Sequence, residues 1–377
     1  NEKEIERLKN LNLSHQRLSL YLSNPDYEKK LRQSSNEANK LGINLETALF
    51  LSNEAESELQ VLVELLKQIK PPIVNWLIFH KEEMTTSEKW IILAQKYLKN
   101  YDHNSNVGSG TNVFFADLNR SIPPIKVMDF ISYSINPQVH AFDNLSLVET
   151  LSAQAETVKS AHNFSKNKPI SVSPITLKMR FNPNATAPKA KMKSDQLPSQ
   201  VDVRQMSLFG AAWTLGSLKY LSESETCSLT YFETTGWRGV METEYGSPLP
   251  EKFYSLRGAV FPLYHVFADL GEFADGQIVT TSSSNPLKII GFANYIFTES
   301  SFGKHNYHTP AIVLEITIDK MPTIKLDSTS SNYLWSESLP KLLVGKAFQP
   351  GDTHVGLNMA INQSQIPNDE LIAKVTF

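Results

Sequence analysis

The stretch Tyr231-Phe232-Glu233-Thr234-Thr235-Gly236-Trp237-Arg238-Gly239 sets a carboxylate, two hydroxyls, an indole and a guanidinium directly behind a short β-type run at 228–232. A packed core has little use for that density of polar chemistry. An active-site rim does, because catalytic groups gather on loops that a rigid strand positions. Glu233 is the candidate general base, Arg238 a candidate donor to a developing oxyanion, and Trp237 a face for a sugar ring, with Thr234 among them. The plainer reading is a polar turn in which Glu233 and Arg238 form a surface ion pair.

Further polar groups stand behind other β-type runs: His80, Asp117-Leu118-Asn119-Arg120, Asn136-Pro137-Gln138-Val139-His140, and the segment 178–180. Asp117 and Glu233 form the candidate acid–base pair. Flanking a glycosidic bond, two carboxylates perform glycoside hydrolysis. Against a lactone, one deprotonates water while the other, or His140, protonates the departing alkoxide. His80, Asn119, Arg120, Asn136 and Gln138 join Thr234, Trp237 and Arg238 as candidate substrate ligands. Simpler roles compete with several of these: Asp117 paired with Arg120 to shape a loop, His140 satisfied within the loop 136–144, and His80 bonded to backbone.

The elements that must hold these groups alternate in type. Strand-like runs at 17–22, 44–51, 73–80, 113–118, 130–135, 170–177 and 228–232 are separated by helical patterns. The helix at 54–69 shows an apolar side of Leu59, Leu62, Val63, Leu65, Leu66 and Ile69, and Pro71-Pro72 stops it. Thr85-x-x-Glu88 and Ser146-x-x-Glu149 read as capping boxes. Alternation of this kind predicts parallel βαβ units. Seven strands in that order favour a (β/α)8 barrel lacking its first strand over a doubly wound sheet, and no G-x-G-x-x-G follows any strand. In such a barrel the strand C-termini share one mouth, where the polar groups above would converge. Arg17 and Glu46, near the beginnings of neighbouring strands, are read as a structural pair inside the lower barrel. Gly108-Ser109-Gly110-Thr111-Asn112 reads as a loop before a strand, and it lacks the Lys-Ser/Thr of a phosphate-binding loop.

Beyond about residue 284 helical periodicity gives way to short β runs at 287–292, 311–318, 323–326 and 371–377. They predict a small antiparallel, sandwich-like β domain over 285–377 behind a catalytic barrel over 1–284. His305-x-x-His308 lacks nearby acids at ligand spacing, so no metal and no cofactor is expected.

The chain has 377 residues, 41% of them hydrophobic, enough to bury a large core. A net charge of -3 and a pI near 6.4 exclude the basic face of a nucleic-acid binder. No apolar run approaches the about 18 residues of a membrane-spanning helix. The single Cys227 excludes a disulfide framework and reads as a buried structural thiol. The chain opens at Asn1 without a Met, which points to an N-terminal truncation; the expected compartment is the cytoplasm. Oligomeric state is not legible.

With these segments in view, the chain resembles the D-apionate lactonase family of bacterial sugar-acid catabolism. The resemblance rests on Ser132-Tyr-Ser-Ile-Asn-Pro-Gln-Val-His-Ala-Phe-Asp143, Ile170-Ser-Val-Ser-Pro-Ile-Thr176, Arg204-Gln-Met-Ser-Leu-Phe-Gly-Ala-Ala-Trp-Thr-Leu-Gly216, the segment 231–242, and Gly110-Thr111-Asn112 through Asp117-Leu-Asn-Arg120. It implies a glycosidase-like barrel followed by a β region, and a small-molecule sugar lactone, D-apionolactone, opened to D-apionate. The family pattern carries Glu where Asp117 stands, one methylene longer. A glycoside hydrolase and a non-catalytic carbohydrate-binding barrel remain the alternatives.

Overall fold

The structure, a computed structural model, describes residues 1–181, 183, 194–274, 276–287, 290–298, 307–313, 315–316 and 342–343. In chain order the elements are α1 (Glu2–Lys9), β1 (His15–Tyr21), α2 (Tyr27–Leu41), β2 (Asn44–Leu51), α3 (Ala55–Ile69), β3 (Ile73–His80), α4 (Glu88–Tyr101), β4 (Asn106–Phe114) and α5 (Phe115–Arg120). There follow β5 (Ile131–Ile135), α6 (Asn144–Glu149), α7 (Leu151–Ser165), β6 (Ile170–Ile175), α8 (Leu208–Ser222), β7 (Ser228–Tyr231) and α9 (Pro262–Gly271). The chain divides into two compact units, one of Asn1–His140, Ala153–Gln200 and Ser224–Glu233, the other of Ala141–Ser152, Val201–Glu223 and Thr234–Phe377.

In the first unit β1 to β7 lie parallel, in sequence order, in one seven-stranded sheet. Local sequence explains the helices between them. Gly42, in the left-handed conformation at φ 72, ends α2, and Lys70 with Pro71-Pro72 ends α3. Strand β2 is buried along nearly its whole length because both faces of a parallel sheet are covered. The sheet is strongly curled: His15 of β1 lies 2.8 Å from Thr230 of β7, and Arg17 of β1 reaches Ser173 of β6 at 2.7 Å. Side chains at opposite ends of the strand order therefore meet inside it.

Part of that interior is apolar. Ala48 and Phe50 of β2, Leu77 and Phe79 of β3, and Phe130 before β5 form one buried cluster. Tyr21 stacks on Phe50 with ring centroids 4.2 Å apart. Strand β4 passes this cluster through Gly108 and Gly110. A Cβ on Gly108 would stand 2.5 Å from the Phe130 ring, and one on Gly110 would stand 2.1 Å from the Ser132 carbonyl oxygen. The glycines thus belong to the strand itself, and close packing is what they serve. This corrects two expectations. The fourth strand is Asn106–Phe114, not 113–118, and Asp117, Asn119 and Arg120 lie on α5, anchored by buried Leu118. The other six strands fall where the alternation put them.

Smaller corrections concern ends and exposure. Helix α4 begins behind Ser87, whose N–H and hydroxyl both donate to Glu83, so Thr85 caps nothing. Asp143, not Ser146, caps α6 by accepting the Ser146 N–H at 2.9 Å. Cys227 is exposed rather than buried. The part of it that is covered is desolvated enough, with backbone hydrogen bonding opposing and Glu46 adding, to push its thiol up to about 11. At neutral pH it is therefore no nucleophilic thiolate.

In the second unit Ser207 caps α8 by accepting the Gly210 N–H, and nearly every residue of that helix is buried. Strands β8 (Gln277–Val279), β9 (Phe292–Thr298) and β10 (Tyr307–Val313) form an antiparallel sheet in the order β10-β9-β8. Strands β11 (Glu315–Ile316) and β12 (Leu342–Leu343) form a second antiparallel pair. The buried Lys219–Glu223 pair, at 2.6 Å, also binds Thr281 through its carbonyl (2.9 Å) and N–H (3.1 Å), which ties α8 to the start of the β-rich region. The expected runs at 323–326 and 371–377 and residue His305 lie outside the described residues.

Gly108→Ala should destabilise the protein by about 1–3 kcal/mol, the usual cost of overpacking a well-filled core. Adding Phe130→Leu should recover part of that loss. Urea denaturation of the single and double variants reads both, and an unchanged midpoint for Gly108→Ala would contradict the crowding.

Candidate functional site

Nearer the beginnings of β1 and β2, on the face that carries Ala48 and Phe50, the curled sheet of the first unit is polar. Arg17 and Glu46 are register partners on β1 and β2, both buried, with Nη1 and Oε1 3.8 Å apart. Ser173 accepts from Arg17 Nη1 and donates a short hydrogen bond to Glu46, and Ser171 donates to the same carboxylate at 3.5 Å. The expected pair is thus present inside the sheet and held by two serines of β6. Arg17 Nη2 also reaches Asn112 Oδ1 at 3.5 Å, and Arg180 Nη2 donates to both Oδ1 and the main-chain oxygen of Asn112 at 2.8 Å. The cluster runs from the entry of β1 and β2 to Asn112 near the end of β4 and Arg180 beyond β6. His15 lies beside it, bonded to Ser14 and Thr230.

In a parallel sheet every strand C-terminus lies at one edge, where catalytic residues of such folds sit. Asp117, His140 and Glu233 follow β4, β5 and β7, so all three belong to that edge. Asp117, in the first turn of α5, is mostly buried and pairs with Arg120 at 3.3 Å; Asn119 and Arg120 are exposed. His140 and Glu233 are exposed. Glu233 follows Phe232, a buried residue at φ 53 whose N–H donates to Ile175 O at 3.0 Å. A bulky residue in the left-handed region costs about 1–3 kcal/mol, and such strain concentrates at functional positions.

The candidate ligands of this unit differ in setting. His80 alternates away from the interior residues Leu77 and Phe79. Its ring stacks on Trp90 of α4 at 4.5 Å, and its Nδ1 accepts the Glu82 N–H at 3.3 Å. Trp90 in turn donates to Glu83 at 2.9 Å. Gln138 is buried and donates to Leu177 O at 2.6 Å, which ties the loop after β5 to the loop after β6. Asn136 is half-buried, and its Oδ1 is enclosed with no partner among the described residues. The end of β1 adds Tyr21, 45% exposed while stacked on Phe50.

Thr234, Trp237 and Arg238 lie in the second unit, in a tightly closed loop. Gly236 donates to Met241 O at 2.8 Å, Val240 to Thr234 O at 3.3 Å, and Gln205 Nε2 to Gly239 O at 2.9 Å. A Cβ on Gly239 would meet the Thr235 backbone at 2.6 Å, and Gly236 has φ 80, so both glycines are required by the turn. Trp237 Nε1 donates to Ser247 Oγ at 2.9 Å. Glu242 is buried and satisfied, accepting from the Thr243 N–H and the Ser255 hydroxyl.

Among the described residues no group of three or more His, Cys, Asp or Glu could hold a metal ion, and no helix is long and apolar enough to cross a membrane. The first unit brings the carboxylates of Asp117 and Glu233, the guanidiniums of Arg120 and Arg180 and the carboxamides of Asn112, Asn119, Asn136 and Gln138 to one sheet edge, a set suited to proton transfer and to binding an oxygen-rich ligand. Sequence reasoning missed Asn112 and Tyr21. Asn112 stood inside a string set aside as a loop, and Tyr21 looked like any strand aromatic.

Comparison with known proteins agrees with this geometry. Residues 1–275 match the family described as D-apionate lactonase, TIM barrel domain. A curated D-apionate lactonase from Brucella anthropi is 28% identical over 191 residues, 50% of this chain but only 30% of that protein. A family 51 α-L-arabinofuranosidase from Bifidobacterium longum shares the fold with a TM-score of 0.52 at 12% identity, over 84% of this chain and 75% of that one. A β-glucuronidase from Ruminococcus gnavus aligns with a TM-score of 0.48 at 11% identity, over 72% and 45%.

Burial lowers the pKa of His15, with Glu46 raising it and Arg17 lowering it further. The folded state therefore holds the neutral ring. As pH falls through the ordinary histidine range near about 6.5, the unfolded chain binds a proton that the folded chain resists, and stability is lost. His15→Gln should flatten that loss. Urea midpoints of wild type and variant at pH 7.5 and 5.5 read the difference, and parallel pH slopes would overturn it.

Proposed function

The chain belongs to the D-apionate lactonase family, and we propose that it is a carbohydrate hydrolase that opens a sugar-derived lactone, D-apionolactone to D-apionate in the first instance. The observation that supports this most is the placement of Asp117 and Glu233 behind β4 and β7 on one edge of a curled parallel sheet. The proposal takes that sheet as most of a (β/α)8 barrel, with a separate C-terminal β domain from about residue 285.

Glu233, exposed at the end of β7, takes a proton from water as the water oxygen bonds to the lactone carbonyl carbon. The carbonyl electron pair moves onto oxygen, then returns as the ring C–O bond breaks. Asp117 or His140 supplies a proton to the departing alkoxide, and the product is an open hydroxy acid. Asp117 reaches less far than Glu would, and its bond to Arg120 fixes its direction. Asn119, Arg120 and Asn136 are proposed substrate ligands at the same edge. Thr234, Trp237 and Arg238 follow Glu233 directly in the chain and are proposed as ligands on that ground. Gln138 and His80, engaged with Leu177 and Trp90, support the rim.

Assays of purified protein on aldonolactones and on aryl glycosides separate lactonase from glycosidase, and sugar binding without turnover of either points to a binding barrel. Glu233→Gln keeps shape and hydrogen-bonding reach but cannot accept the proton. It should lower lactone turnover by about 10²–10⁴ while leaving the fold intact. Near wild-type turnover would overturn the assignment and move His140 or Asp117 into the role of base.

A further inference from the structure

We propose that Asn112 is a further substrate-binding residue of this site, its side-chain N–H2 donating to the carbonyl oxygen of the lactone and holding that oxygen as it becomes an oxyanion. The inference rests on the hydrolase reading above.

The first argument is position. Between β4 and β5 the register runs Gly110↔Ser132 and then Phe114↔Ser134, so four steps of β4 match two of β5. Asn112 lies in the resulting bulge. Bulges re-aim side chains and recur beside active sites. This one turns Asn112 toward Arg17 and Arg180 rather than along the β4–β5 ladder, at the same edge as Asp117 and Glu233.

The second argument is orientation. A guanidinium has donors and no acceptors, so the side-chain atom facing Arg17 and Arg180 must be Oδ1. Arg180 also holds the main-chain oxygen of the same residue, which clamps backbone and amide together. In a planar carboxamide Nδ2 then points away from both cations. Among the described residues it donates to no protein acceptor, and Asn112 is only half-buried. Two cationic donors on Oδ1 also draw electron density from the amide and make its N–H groups stronger donors. A fixed, polarised amide donor at a strand end is the arrangement that stabilises developing oxyanions.

The third argument concerns support. Arg17 is itself fixed by Glu46 and Ser173. It acts as a positioning residue, and the buried ion pair is the frame for a ligand at the sheet edge.

Asn112→Asp exchanges only Nδ2 for oxygen and keeps the acceptor that both arginines hold. Its unfolding midpoint should equal or exceed that of wild type, while kcat on a sugar lactone should fall by about 10²–10³. Affinity for a non-hydrolysable aldonolactam, read by calorimetry, should fall by about tenfold, the worth of one hydrogen bond. Asn112→Ser repeats the test without new charge. Arg17→Lys keeps the charge and loses the fork, so kcat should drop with KM little changed; a merely structural Arg17 would move only the midpoint. Wild-type kcat and lactam affinity in both Asn112 variants would overturn the proposal. A wild type that binds the lactam yet opens no lactone defeats the hydrolase reading alone, and the lactam arm then decides Asn112. A wild type that does neither overturns both.

Discussion

Removing a guanidinium and a carboxylate from water costs several kcal/mol per ion, and the interior of the curled sheet contains both. Arg17 and Glu46 are tolerable there only because each has further partners: Ser173 bridges them, Ser171 adds to the carboxylate, and Asn112 takes the second arm of the guanidinium. The partners come from β4 and β6, so the pair ties together strands that are not neighbours in the sheet. Apolar residues of similar volume would fill the space at lower cost. What they would not do is specify the direction of a carboxamide at the sheet edge, and the ionic cluster extends to that edge through Arg180.

The apolar and polar parts of this interior impose opposite demands on β4. Toward β5 the strand must be stripped of side chains, by the Phe130 ring at Gly108 and by the Ser132 carbonyl at Gly110. Two residues on, it must present an amide, which accounts for the bulge. A regular strand meets the first demand and fails the second. Local irregularity is thus the means by which one strand both closes the apolar core and furnishes a polar rim.

The alternation of strand and helix patterns was legible because hydrophobic periodicity and helix stops, such as Gly42 and Pro71-Pro72, are local properties of the chain. Six of seven strands follow from it. The fourth did not, because its glycines imitate a loop and are explained only by Phe130 and the Ser132 carbonyl, some twenty positions away. Register pairing of Arg17 with Glu46 could be read because both sit near strand beginnings. Their serines and Asn112 could not, since side-chain partners across a curled sheet leave no spacing signature. The same holds for His80: its residue type suggested a ligand, and nothing in the spacing told that its ring stacks on Trp90.

Phe232 carries a consequence for how this protein can change over time. Its backbone at φ 53 is one that glycine would adopt without strain, so a single substitution there relieves the local cost. Glycine would also empty a buried ring position and give the chain a swivel immediately before Glu233. An unstrained backbone and a filled ring position therefore pull position 232 in different directions. Deleting a buried aromatic ring costs about 3–5 kcal/mol against about 1–3 for the strain, so even a lineage that had lost the chemistry but kept the scaffold would hold the ring, and with it the stiff approach to position 233.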